Sequence, residues 1–229
     1  MSKLDVIEGV VENLVVVDAD VNYLANAEKN SQTAGLVSVL QAAAGSPGAA
    51  HSAQAASDAG DPVEGYSMSV AGQSVAGSFW KTTFKNGDLV KVIGIKQNSV
   101  FLAIAVADPI TRTIWMQPHC ERGTIEQKKY LLKNSMLFVI AIFSISTVFF
   151  TNPNMKLWFY LACASLSSVI CLIATVGMSW GDLMTFANRM TQVGAALEIE
   201  SPGTINLVRS TRAAIGSGKP ELPMGVYYY

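Results

Sequence analysis

His119 and Cys120 stand side by side after Pro118, where a base adjoins a possible nucleophile. Such a pair could support covalent catalysis, with the imidazole taking the thiol proton. Adjacent residues of an extended chain point to opposite faces, however, so the two are not expected to cooperate. The other histidine, His51, lies in a low-complexity segment. Cys163 and Cys171 fall within an apolar run, and three cysteines without CxxC spacing suggest neither a zinc site nor a disulfide framework. "GSGKP" (Gly216 to Pro220) resembles the end of a phosphate-binding loop. It lacks the first glycine at the right spacing, and proline replaces the Ser/Thr that would meet a metal. Asp88 in "NGDLV" is expected to close a turn. With no GxSxG or HExxH motif either, the expectation is no enzyme, no metal and no cofactor.

Hydroxyl residues form a second pattern. Ser144, Thr147 and Thr151 fall at i, i+3 and i+7, one face of a helix. Ser165, Ser168, Thr175 and Ser179 share a face of another, interrupted by Leu172. Small and hydroxyl residues let helices approach closely in a membrane. The same residues could instead line an aqueous path through an oligomer, uncharged and weakly selective. Both readings stand at this point. No Asp, Glu, Arg or His lies within the runs, which argues against a proton relay, a voltage sensor or a coupled transporter.

The elements that carry these hydroxyls are two long apolar runs. Charged residues make up 14% of the chain, against roughly 25% in an average soluble domain. The deficit is local, because Lys156 is the only charge between Asn134 and Trp180. A bilayer core needs about 20 mainly apolar helical residues. The pattern predicts a transmembrane hairpin over 130–180, with helices 130–151 and 156–180 and a turn at 152–155 built on Asn152, Pro153 and Asn154. Tyr130, Phe149, Phe150, Trp158, Tyr160 and Trp180 gather at the ends, as interfacial aromatics do. Arg122, Lys128, Lys129 and Lys133 flank the first run, whereas the turn carries Lys156 alone. The positive-inside rule then gives a two-pass inner-membrane protein with both termini cytoplasmic, provided insertion is conventional. A protein entering from the other side need not obey that rule.

Around the hairpin the chain reads as β structure. "LDVIEGVVENLVVVDAD" holds β-branched runs broken at Glu12–Asn13, and "GYSMSVAGQSVAGSFWKTTF" alternates around Gly72–Gln73. "GDLVKVIGIKQNSVFLAIAVADP" reads as two strands about Gln97–Asn98–Ser99. Phe101 to Val106 is apolar on both faces and so central, and "TRTIWMQP" is a last strand. About six strands predict a small barrel of the OB or SH3-like kind over 1–22 and 63–127. Residues 23–62 are read as an Ala/Gly/Ser-rich insertion, helical at first and then flexible. Residues 181–229 are read as a C-terminal extension that continues the second helix, with Met184, Ala187 and Met190–Thr191 as an amphipathic face and Val193, Ala196, Leu197 and Ile199 extending the apolar content. "GVYYY" either packs on the barrel or lies at the membrane. The fold class expected is therefore α+β membrane protein. A net charge of −1 gives no footprint for nucleic acid, and the acidic N-terminal run is not a secretory signal.

The order of "IEGVVENLVVVDADVNYLANA", "GSFWKTTFKNGDLVKVIG", "AVADP" and a two-helix hairpin resembles a family of type VI secretion system effectors, over most of the chain. The resemblance implies an antibacterial toxin delivered by a contractile machine into a neighbouring cell. It implies a secretion-machine carrier, a cognate immunity protein, and permeabilisation of the inner membrane. One hairpin has too few helices to enclose a pore, so a homo-oligomer in the lipid bilayer is expected. The competing expectation is a resident inner-membrane protein, such as an immunity or accessory protein, whose hairpin anchors a β-domain used for protein contacts.

Overall fold

The computed structural model describes residues 4–21, 61–97, 99–150 and 157–229. The insertion expected over 23–62 lies outside the described residues, apart from Asp61 and Pro62, which open a strand. The hairpin turn Asn152, Pro153, Asn154 and the hydroxyl of Thr151 lie outside them too.

The architecture is α+β with a closed five-stranded barrel. Its strands are β1 (Asp5–Val21), β2 (Asp61–Val70), β3 (Gln73–Phe79), β4 (Leu89–Gln97) and β5 (Val100–Asp108). Sheet order is β3-β2-β1-β4-β5, and a parallel pairing of Ser74–Ala76 with Val100–Leu102 joins β3 to β5 and closes the barrel. Two further strands, β6 (Thr113–Met116) and β7 (Val226–Tyr228), extend the sheet beyond β5.

The break expected at Glu12–Asn13 is a bend within a single strand. The first part of β1 pairs with β4 and the rest with β2, with a register shift between Glu12 and Val15. Asn13 takes a left-handed φ of 52°, which asparagine tolerates better than most residues. The turn before β4 fills the bend. Asn86 Oδ1 accepts from Leu14 N–H at 2.9 Å, and Val11 exchanges backbone bonds with Gly87 and Asp88. Asp88 does close this turn, its carboxylate accepting from Lys85 N–H at 2.7 Å.

Two cores share the sheet, which is why β5 is apolar on both faces. Inside the barrel, Tyr66, Phe79, Phe84 and Trp115 interlock beneath Val90, Val92 and Phe101. The Trp115 indole N–H finds Thr83 Oγ1 at 3.0 Å, so burying it leaves no donor stranded. Gly77 leaves room for Tyr66, whose hydroxyl would meet any Cβ there. Outside the barrel, Ile93, Ile104, Ala105, Ile114 and Met116 are covered by helical side chains from the C-terminal half.

Those side chains come from two of the three helices. Helix α1 spans Thr124–Phe150, α2 spans Leu157–Ala196, and α3 spans Leu207–Gly216. Phe186, Met190 and Val193 of α2 and Leu207 of α3 are fully buried on the sheet. The segment read as a C-terminal extension thus supplies part of the second core and, through β7, a strand of the same sheet. "GVYYY" packs on the barrel, its strand bonded to β6.

Candidate functional site: the apolar hairpin and its root

Helices α1 and α2 leave the barrel together. Thr124 N–H bonds Thr191 Oγ1 at 3.0 Å, and Lys128 Nζ lies 5.9 Å from the Trp180 ring, so the helices run antiparallel. The root is held by a clasp from the segment after α2. Gly123 N–H donates to Ile205 O at 2.8 Å, and Leu207 N–H to Glu121 O at 2.9 Å. A Cβ at Gly123 would lie 2.5 Å from Pro202 O, so this close approach requires glycine.

Beyond the root nothing among the described residues covers the pair. Leu137, Phe138, Ile140 and Ile145 of α1 are each more than half exposed, as are Trp158, Leu166, Ile170 and Ile173 of α2. One stripe per helix is withdrawn from solvent where the two pack together: Leu131, Ser135, Val139 and Phe143 on α1, and Ala164, Ser168, Cys171, Leu172 and Thr175 on α2.

Among the described residues no single helix is long and apolar enough to cross a membrane. In α1 the charges of Glu126, Lys128, Lys129 and Lys133 occupy the first turns, and the uncharged remainder to Phe150 is about 25 Å long, short of a core of roughly 30 Å. In α2 the segments Leu161–Gly177 and Trp180–Ala196 meet at 47°, and only this bent pair has the length and composition to span. Where helices 130–151 and 156–180 were expected, the structure has α1 and the bent α2, neither of which is by itself long and apolar enough to cross a membrane.

The hydroxyl residues separate by position. Ser144 and Ser165 are exposed and donate to Ile140 O (2.8 Å) and Leu161 O (2.7 Å) of their own helices. Thr175 is half-buried and donates to Cys171 O and Leu172 O, and Ser168 is half-buried on the same stripe. Thr147 and Ser179 lie on α1 and α2 respectively. The face proposed for Ser165 with Ser168 and Thr175 is therefore divided between the outside and the seam. Lys128, Lys129 and Lys133 are exposed on the first turns of α1.

The candidate chemical residues are drawn apart. His119 has a left-handed φ of 66° and turns its ring to Asp61, Nε2 to Oδ2 at 3.0 Å, beside Trp80 and Phe186. Cys120 is buried in the outer core, where loss of hydration drives the thiol up to about 12, against the pull of Arg189. The two do not form a nucleophile–base pair. Lys219 of "GSGKP" lies 4.5 Å from the Tyr228 ring centroid, and Pro220 O accepts from the Tyr228 hydroxyl. Among the described residues no three of His, Cys, Asp and Glu gather to hold a metal. What sequence reasoning missed is the pairing of Lys128 with Trp180 and of Arg122 with Tyr130, at 4.0 Å. All four residues stood out as flanks or belts, but their partnership depends on how the helices register.

No protein-family model, curated protein or solved structure matches this chain.

The buried groups predict an alkaline transition. Burial also raises the Tyr227 hydroxyl, helped by Glu121, to which it donates at 3.3 Å. A group whose folded pKa is raised contributes its full stability below its unfolded value and loses it as pH rises. The unfolded values are about 8.5 for the thiol and about 10 for the phenol. The urea midpoint should therefore hold to about pH 8 and then fall steadily towards pH 12. In Cys120→Ala the early part of that fall should flatten. An unchanged profile in the variant would remove Cys120 from the account.

Proposed function

We propose that this chain inserts its hairpin into a lipid bilayer and acts as a type VI secretion effector, permeabilising the inner membrane of a target cell as an oligomer. The observation that carries insertion is the pair of helices whose large apolar side chains face outward on all sides, uncovered by the barrel. Contiguous apolar surface of that extent is costly in water, at about 25 cal/mol per Å², and marks a membrane or protein contact. The back-bonded hydroxyls Ser144 and Ser165 support the same reading, since their donors are satisfied without water. The effector part rests on the resemblance of segment order and on the lack of charged residues between Asn134 and Phe150 of α1 and between Leu157 and Trp180 of α2. The barrel, with β3 closing on β5 in parallel, is assigned to the OB kind.

One observation favours the second reading, a resident membrane protein. The α2 helix runs from the apolar zone straight into the outer core at Phe186 and Met190, so hairpin and barrel form one unit. Such a unit suits a barrel presented permanently at one membrane face.

Expression in a sensitive bacterial strain carrying a potential-sensitive dye separates these readings. The effector reading expects loss of membrane potential and growth arrest. Normal growth with the protein in the membrane fraction would leave the resident reading standing, and recovery in the soluble fraction would defeat insertion itself.

A further inference from the structure

The root of the hairpin places charge and aromatic rings at one level. Lys128 lies against Trp180 of the opposite helix, and the Arg122 guanidinium sits 4.0 Å over Tyr130. Lys129 and Lys133 follow on α1 at i and i+4 spacing, on one face. Immediately beyond Lys133 the charges stop, and the outward apolar surface begins. The carboxylates at this level are Glu121, 3.8 Å from Arg122, Glu126, 2.8 Å from Lys129, and Asp182 on α2. Among the described residues neither Lys128 nor Lys133 has a carboxylate partner. An ammonium held unpaired at the edge of an apolar zone, beside amphipathic rings, matches the phosphate layer of a bilayer in charge and depth.

We propose that this collar, centred on Lys128 and Lys133 with Trp180 and Tyr130, is a headgroup site for anionic phospholipids. It rests on the insertion reading and goes beyond it by naming the lipid class. The apolar helices supply attachment to any bilayer, and the collar supplies preference for a negatively charged one. The bent root then fixes the barrel directly above the headgroups, since α2 passes from Trp180 into the outer core within a few turns.

The test uses the full-length protein and flotation with two vesicle types, pure phosphatidylcholine and phosphatidylcholine with about a third phosphatidylglycerol. Wild type should bind both, and the anionic vesicles about 25-fold more tightly at low salt, since Lys128 and Lys133 would each contribute about fivefold near such a surface. The preference should shrink at 1 M salt, where screening reaches only about 3 Å. The triple variant Lys128→Gln/Lys129→Gln/Lys133→Gln should bind both vesicles at the neutral level. Glutamine preserves helix propensity, and an unchanged urea midpoint would show that the barrel is intact. A barrel control, Lys85→Gln/Lys96→Gln, should keep the preference. Equal binding to both vesicles by wild type, or a preference that survives in the triple variant, overturns the collar while leaving insertion intact. Failure to bind either vesicle overturns insertion and the collar with it.

Discussion

Arginine at Ile140 and Ile173 together should remove the protein from membranes. Both side chains are more than half exposed, Ile173 at 67%, and neither belongs to the two cores. Placing a charge near the centre of an inserted helix costs about 2.5–3.5 kcal/mol on insertion scales, so one substitution weakens insertion roughly a hundredfold and two abolish it. The folded barrel should not notice, because the nearest buried anchors of the helices, Leu131 and Phe186, stay in place. The measurement is fractionation and flotation of variant and wild type at matched expression, with the denaturation midpoint as a check on the fold. If the hairpin instead lay in water, the same change would raise solubility and leave the distribution untouched. That outcome would end the membrane account, and with it the toxin reading.

Gly94→Ala should be among the most damaging small changes in the barrel. A Cβ at Gly94 would lie 2.0 Å from Leu102 O and 2.9 Å from the Phe101 ring. The first contact is with backbone, which cannot turn aside as a side chain would. Gly94 also sits at the register shift between β4 and β5, where Ile93 faces Ala105 and Gly94 faces Ala103. Shifting β5 there would disturb its contacts with both cores. Overpacking usually costs about 1–3 kcal/mol, and a clash with a central strand belongs at or above the top of that range. Gly177→Ala provides the contrast. Nothing lies within 4 Å of a Cβ there, so removing a helical glycine should be neutral or stabilise by up to about 1 kcal/mol. Urea titration followed by the buried Trp115 reads both. Equal midpoints for Gly94→Ala and wild type would mean that the strands are not packed as described.

Much of the barrel was legible because its signals are local. Alternation marks β2 and β4, Gly72 and Asp88 mark turns, and the two-sided apolar run marks β5 as central. The bend of β1 was visible at Glu12–Asn13, but its meaning was not, since one strand serving two neighbours is decided by partners far along the chain. The strand β7 was hidden for a similar reason. Three residues carry no period, and Tyr227 faces Ile114 only because the sheet extends that far. The outer core escaped in part because Phe186 and Met190 look like any apolar helix face until the sheet beneath them is known. Which hydroxyls face the neighbouring helix was left open, because helical spacing alone cannot say it. Ser168 and Thr175 do, and Ser165 does not.

The pairing of β7 with β6 also bears on how the molecule matures. Val226–Tyr228 joins Thr113–Trp115 across a stretch of chain that includes both helices of the hairpin. A ribosome must therefore finish and return the hairpin before the sheet can be completed. The loop so closed is long, and pairing its ends carries the loop-closure entropy of a non-local contact. Until then Thr113–Trp115 lacks its partner on that side, an unpaired sheet edge open to mispairing. The molecule is most in need of a chaperone in the interval before Val226 docks.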